Sequence, residues 1–143
     1  MIEIRHTGMV TNNLSKSIIF WVQYLGFKIS KELNESGDLI DKLMLYKNVQ
    51  LKSIKLDDHK GNKIEILYFK NSPKIKKKVI KPYSNGFTHI SLTVKSVMDL
   101  YKFLKKKKIV FNSKPKKSED GKVLMTYCRT PEGAFLELVE ELK

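Results

Sequence analysis

Two histidines and two glutamates have the residue types of a divalent-metal site. His6 and Glu65 lie in the first half of the chain, and His89 and Glu137 lie in the second half. Each glutamate stands among aliphatic residues in a strand-like segment, where an unpaired carboxylate is costly. Two imidazoles and two carboxylates that converge between the halves would hold one divalent transition metal: zinc, nickel, cobalt, manganese or iron.

Each of these four residues also has a structural interpretation when it is taken alone. A single strand histidine is more often a half-buried structural side chain than a ligand. A single glutamate in an apolar strand is often an exposed residue on the outer face. Because the same two types recur at equivalent places in both halves, we favour the metal site.

The recurrence extends to the surrounding segments. GNKIEIL (61–67) shares with GAFLELV (133–139) a glycine, two residues, an aliphatic residue, a glutamate and two aliphatic residues. Upstream, RHTGMVTNNLSKSIIFW (5–21) and THISLTVKSVMDLYKFL (88–104) both place a histidine in a strand-like run before an amphipathic helix. The first helix is predicted to begin at Asn12 or Asn13 and to stop at Gly26, and the second to begin at Ser96.

Short alternating or apolar runs follow each helix and predict strands. They are FKISKEL, LIDKLMLY, VQLKSIKL, KIEILYF, IVFNSK, KVLMTYCR and AFLELVE. We therefore expect an α+β fold of two tandem βαβββ modules, residues 1–70 and 87–143, joined by a polar linker at 71–86. Modules of this size are too small to be stable alone, so they are expected to pack as one domain.

The sequence resembles the vicinal oxygen chelate superfamily, which has the glyoxalase and bleomycin-resistance fold, over essentially its whole length. The segments that carry the resemblance are HTGMVTNNLSKSIIFWVQYLGF, GNKIEILYF, GFTHISLTV and TPEGAFLELVE. The resemblance implies a curved half-barrel of mixed sheet. It also implies a homodimer, and metal ligands at His6, Glu65, His89 and Glu137.

The ligand types in this superfamily imply a metal-dependent lyase or isomerase, similar to glyoxalase I or to methylmalonyl-CoA epimerase. In both, a metal stabilises an enediolate or enolate while a carboxylate moves the proton. Glu137 is the expected base, with Glu65 or Glu35 as its counterpart; Glu35 is a loose match in KELNESGD. Ring-cleaving dioxygenases are disfavoured, because Glu65 fills the position that they leave to water. The alternative is a small-molecule binding or resistance protein without catalysis.

The amino-acid composition limits the classes of partner that the protein is expected to bind. The formal net charge is +13, but only two of the 28 basic residues are arginine, the residue that nucleic-acid readout favours. We expect no nucleic acid, and instead an anionic small molecule such as a thiol adduct, an acyl-CoA or a sugar derivative. No apolar run approaches the length of a membrane span, and we identify no targeting segment, so a cytoplasmic location is expected. The single cysteine, Cys128, gives neither an internal disulfide nor a cysteine-based metal motif.

Overall fold

The structure is a computed structural model that describes residues 1–73 and 78–143. The chain divides into two compact units, Met1–Lys77 and Lys78–Lys143. The predicted linker, residues 71–86, includes residues 74–77, which lie outside the described residues. The module boundaries therefore stay a prediction.

The first unit forms a four-stranded mixed sheet. Its elements in chain order are β1 (Thr7–Val10), α1 (Leu14–Ile18) continued by a π-helix (Ile19–Tyr24), β2 (Lys28–Glu35), α2 (Asp38–Met44), β3 (Leu51–Asp57) and β4 (Lys63–Phe69). The strand order in the sheet is β1-β4-β3-β2, with β1 parallel to β4 and the other neighbours antiparallel.

The second unit repeats this sheet. Its elements are β5 (His89–Thr93), α3 (Val97–Lys106), β6 (Lys116–Lys117), β7 (Val123–Arg129) and β8 (Phe135–Glu141). The strand order is β5-β8-β7-β6, and again the first and last strands of the unit form the parallel pair. Neither sheet closes on itself. The α+β class with two tandem modules is therefore confirmed.

Both predicted helix starts are confirmed by their caps. The Asn13 side chain accepts a hydrogen bond from the backbone N–H of Lys16 at 3.0 Å, and the Ser96 hydroxyl accepts one from Asp99 at 3.2 Å. The first helical segment ends before Gly26, whose φ of +80° suits glycine. In the described part of the chain no helix has both the length and the apolar character needed to cross a membrane.

The prediction of a strand at LIDKLMLY was wrong, because residues 38–44 form the helix α2. Its apolar residues recur at a spacing of three and four, which suits one face of a helix as well as a short buried strand. Asp38 and Asp41 lie in its first turn, where negative charge is favourable. The Asp41 carboxylate also accepts hydrogen bonds from the backbone of Asn48 and Val49, both at 2.8 Å, and so fixes the following turn.

Two other strand predictions need correction. Strand β1 begins at Thr7, so His6 immediately precedes it, and Ile2 and Ile4 are exposed rather than strand residues. The segment IVFNSK contributes an isolated bridge between Phe111 and Cys128 rather than a strand. The short strand β6 follows Pro115, which has no N–H to extend a ladder from that bridge.

The face of the first sheet that carries Glu65 has two chemically different ends. At one end Leu51 packs in an apolar cluster with Ile40 of α2, and Leu67 and Phe69 pack against this cluster. At the other end Glu65 pairs with Lys55 of β3, and Lys63 pairs with Asp57 of β3, so these side chains are charged. Helix α2 therefore covers the apolar end, which explains how Leu67 and Phe69 share a strand face with a carboxylate.

Candidate functional site

The two glutamates occupy equivalent positions in their sheets. Glu65 of β4 lies opposite Gly8 of β1, and Glu137 of β8 lies opposite Ser91 of β5. In each unit the histidine stands two residues before the strand residue that pairs with the glutamate: His6 before Gly8, and His89 before Ser91. Because residues i and i+2 of an extended chain point to the same face, each histidine and its glutamate can meet on one face of the sheet.

The first pair, His6 and Glu65, is in direct contact. The distance from His6 Nε2 to Glu65 Oε2 is 2.9 Å, and the two side chains are 27% and 14% exposed. A carboxylate only accepts, so Nε2 donates in this contact. The other ring nitrogen, His6 Nδ1, is buried and has no hydrogen-bond partner among the described residues.

A lysine faces the second oxygen of Glu65. Lys55 lies directly opposite Glu65 on β3, and its Nζ is 3.9 Å from Oε1. Both side chains are largely buried, at 19% and 14% exposure. The charge of Glu65 is therefore balanced within its own unit, and this is why a carboxylate is tolerated on the strand.

The second pair, His89 and Glu137, is looser and is supported by neutral groups. His89 Nε2 is 3.9 Å from Glu137 Oε2, and the Tyr127 hydroxyl donates to Oε1 at 2.8 Å. The ring edge of Tyr127 also packs against the imidazole, with centroids 5.7 Å apart. The Thr88 hydroxyl lies 3.1 Å from His89 Nδ1, so both ring nitrogens of this histidine have a polar neighbour.

Burial, and then the hydrogen bond to Glu137, raise the pKa of Tyr127 to about 12. The phenol therefore keeps its proton at neutral pH and remains a donor to the carboxylate.

Lys55 and Tyr127 are equivalent residues, and the sequence reasoning missed both. Each lies directly opposite the glutamate on the neighbouring antiparallel strand, ten residues before it in the chain. The signal was available, because aligning the repeats on the glutamates also aligns these two positions. It was overlooked because lysine and tyrosine are different residue types.

Glu35, the loose sequence match, lies on β2 at the apolar end of the same face. It pairs with Leu51, and its carboxylate accepts a hydrogen bond from the Ser53 hydroxyl at 3.5 Å. Lys55, four residues further along β3 than Leu51, is the residue opposite Glu65. At about 3.3 Å per residue, Glu35 is roughly 13 Å along the strands from Glu65. The structure therefore brings His6 and Glu65 together and leaves Glu35 apart from them.

The chemistry of each pair fits a divalent transition metal. Within residues 1–73 and 78–143, no three His, Cys, Asp or Glu side chains form a group that could hold a metal ion. In each unit one imidazole nitrogen faces one carboxylate oxygen. The other oxygen of Glu137 accepts a hydrogen bond from Tyr127, and that of Glu65 faces the Lys55 ammonium at 3.9 Å. Ligating carboxylates are typically hydrogen-bonded in this way by a neighbouring side chain, as Glu137 is.

The sequence profile of the Glyoxalase/Bleomycin resistance protein/Dioxygenase superfamily matches residues 3–138. The chain belongs to this superfamily. The match includes both His–Glu pairs of this glyoxalase-superfamily protein.

Solved structures have the same fold. A glyoxalase family protein from Bacillus cereus has a TM-score of 0.90 at 19% identity, over 100% of this chain and 96% of that one. A glyoxalase family protein from Enterococcus faecalis gives 0.70 at 22% identity, over 96% and 97% of the two chains. The trypanothione-dependent glyoxalase I of Leishmania major gives 0.67 at 20% identity, over 99% and 88%. No curated protein sequence matches the chain. At these identities the likeness establishes the fold.

Proposed function

We propose that this glyoxalase-superfamily protein is a metal-dependent lyase or isomerase. In this proposal the two His–Glu pairs together hold one divalent transition metal: zinc, nickel, cobalt, manganese or iron. The observation that carries the proposal is that the pair recurs at the same register in both units, each time with a polar side chain of the neighbouring strand facing the second carboxylate oxygen. Mixed imidazole and carboxylate ligands suit these metals.

The bound ion would supply Lewis-acid stabilisation of the enediolate or enolate that forms when a carbon next to a carbonyl loses its proton. The chain supplies the base that takes this proton, and we assign it to Glu137. Glu65 contacts both an imidazole at 2.9 Å and the Lys55 ammonium at 3.9 Å. Glu137 contacts the neutral phenol of Tyr127, and the imidazole of His89 is 3.9 Å away. Among the described residues Glu137 has no ammonium group beside it, so we assign the proton transfer to Glu137, with Glu65 as the counterpart.

Tyr127 positions this base. Its hydroxyl holds Oε1 of Glu137, so in this proposal Oε2 would serve in turn as the oxygen that binds the ion and as the one that takes the substrate proton. Because its own pKa is about 12, Tyr127 does not compete for that proton at neutral pH. We expect the rotamer of Glu137 to be fixed by this bond.

The proposed substrates are small anionic carbonyl compounds: thiol adducts, acyl-CoA esters or sugar derivatives. The fold shared with a trypanothione-dependent glyoxalase I makes hemithioacetals the first compounds to test. We also propose that the chain acts as one domain and forms a homodimer. Mixing Glu65→Gln protein with Glu137→Gln protein tests whether one site draws on two chains: recovery of activity in the mixture would show that it does.

The proposed reaction is tested by exchange of solvent deuterium into hemithioacetals and acyl-CoA esters, followed by proton NMR. We expect exchange by the metal-loaded protein at the carbon next to the carbonyl. Glu137→Gln should slow it by about 10²-fold or more, the usual contribution of a general base. Glu141→Gln is the matched control, because it changes an exposed glutamate of the same strand. Equal exchange by the Glu137 and Glu141 variants would contradict the assignment.

A second candidate function is a small-molecule binding protein that uses no metal. The observation that favours it is the Lys55–Glu65 contact, which balances the carboxylate without any ion. Under this reading the protein would bind candidate ligands equally well with and without chelator, and would exchange no deuterium.

A further inference from the structure

The first unit contains a pocket of about 360 Å³ whose lining is strongly basic. The residues that line it are Arg5, His6, Ser30, Lys31, Lys55 and Lys63. Among the described residues, no carboxylate lines the pocket. A pocket near the lower end of the usual range of roughly 300–1,000 Å³ suits a small ligand or one end of a larger one.

Two of the four cations have acidic partners. Lys63 Nζ is 2.7 Å from Asp57 Oδ2, and Lys55 is 3.9 Å from Glu65. The hydrogen bond from Lys63, and then that from the Ser30 hydroxyl, lower the pKa of Asp57, so this carboxylate is ionised at neutral pH. These two contacts compensate two of the four positive charges, those on the central strands β3 and β4.

The side chains of the other two cations, Arg5 and Lys31, form no ion pair and no hydrogen bond within the described part of the chain, and both residues are exposed. Four cations facing two carboxylates leave two positive charges. An arginine fork beside ammonium groups is a favourable arrangement for a phosphate oxyanion, which the guanidinium can bind with two parallel hydrogen bonds.

A β-bulge brings Lys31 into the pocket. The pairing of β2 with β3 shifts between Ile29 and Lys31, which leaves Ser30 as an extra residue. Consecutive strand residues normally face opposite sides, yet Ser30 and Lys31 both line this pocket. Without the bulge, Lys31 would point to the opposite face of the sheet. Bulges often redirect a side chain beside a binding site in this way. The Ser30 hydroxyl anchors the bulge by donating to Asp57 Oδ1 at 2.7 Å.

We infer that this pocket binds the phosphate or phosphonate group of a small-molecule substrate, with Arg5 and Lys31 as the residues that select it. This inference deepens the proposed function, because His6 is both a lining residue of the pocket and a proposed metal ligand. The oxyanion site itself consists of cationic groups in one unit and requires no metal. The inference also narrows the proposed substrate class to a compact carbonyl compound that carries a phosphate or phosphonate group.

The test is an NMR titration of the ¹⁵N-labelled protein in chelator, at pH 8 and fixed low ionic strength. The probes are inorganic phosphate, methylphosphonate and acetate. We expect phosphate and methylphosphonate to shift the amides of residues 29–31 and 55, with acetate at least about tenfold weaker because it carries a single charge. Arg5→Gln combined with Lys31→Gln should weaken phosphate binding by about tenfold or more.

The control is the double variant Lys16→Gln and Lys42→Gln, which removes the same charge from exposed helical positions of the same unit. Equal weakening in both double variants, shifts spread over the whole surface, or acetate binding as tightly as phosphate would overturn the inference. Because the titration is done without metal, its failure is distinguishable from failure of the proposed reaction, which is read from deuterium exchange.

Discussion

Replacing Lys55 by methionine tests whether Glu65 depends on a cation in its own unit. At 3.9 Å and an effective dielectric constant of about 20, the two charges attract by about 4 kcal/mol before desolvation is subtracted. Exposed pairs contribute about 0–1 kcal/mol, and loss of one partner of a fully buried pair costs about 3–5 kcal/mol. With exposures of 19% and 14%, this pair lies between these limits. We expect Lys55→Met to lower the unfolding free energy by about 1–2 kcal/mol in chelator.

The assay is urea denaturation of four proteins: wild type, Lys55→Met, Glu65→Gln and the double variant. Methionine keeps most of the apolar stem, so the change isolates the charge. In the Glu65→Gln background the same substitution should cost less than about 0.5 kcal/mol, because its partner is already neutral. An equal loss in both backgrounds would refute the coupling.

The strand β3 offers a matched control in Lys52. Its Nζ is closer to its partner, 2.9 Å from Glu32, but the two side chains are 29% and 46% exposed. In our reasoning the burial of an ion pair, rather than its N–O distance, sets how much unfolding free energy is lost with the charge. Lys52→Met should therefore lower the unfolding free energy less than Lys55→Met does. A larger loss at Lys52 would show that the burial argument is wrong.

Three further predictions concern the second unit. Tyr127→Phe removes the hydroxyl that donates to Glu137 and should lower the unfolding free energy by about 1 kcal/mol in urea denaturation; an unchanged midpoint would contradict it. Because the folded-state pKa of Tyr127 is raised from 10.0 to about 12, its contribution is intact below pH 10 and is lost as the pH rises to 12. The difference in unfolding free energy between wild type and Tyr127→Phe should therefore shrink over that interval. Burial raises the pKa of the Cys128 thiol to about 12. This thiol should therefore be inert to dithiodipyridine at pH 8 in the folded protein and react only in denaturant. Rapid reaction of the folded protein would disprove its burial.

The sequence predicted the repeated framework because internal recurrence is a stronger signal than local periodicity. The match of GNKIEIL with GAFLELV located β4 and β8, and the caps at Asn13 and Ser96 located two helices. Periodicity failed at residues 38–44, because a short apolar run satisfies both a strand and one helical face.

The surroundings of the glutamates were not predictable from residue types alone. Lys55 and Tyr127 reach their glutamates through antiparallel register, which depends on the exact pairing of β3 with β4 and β7 with β8. The bulge at Ser30 changes which face Lys31 occupies, and no local pattern in FKISKEL indicates it. The distance of Glu35 from Glu65 could not be predicted from KELNESGD, because it depends on the register of β2 with β3 and of β3 with β4.

The most direct test of the account is the metal content of untagged protein purified without chelator, measured by elemental mass spectrometry. We predict about one divalent transition metal per chain, the number that one mixed nitrogen and oxygen site would hold. The metal should be absent from a His6→Ala and Glu137→Ala double variant and retained in Glu141→Gln. Protein that contains no such metal, and takes up none from zinc, nickel, cobalt, manganese or iron, would contradict the account and leave the metal-free binding function as the better reading.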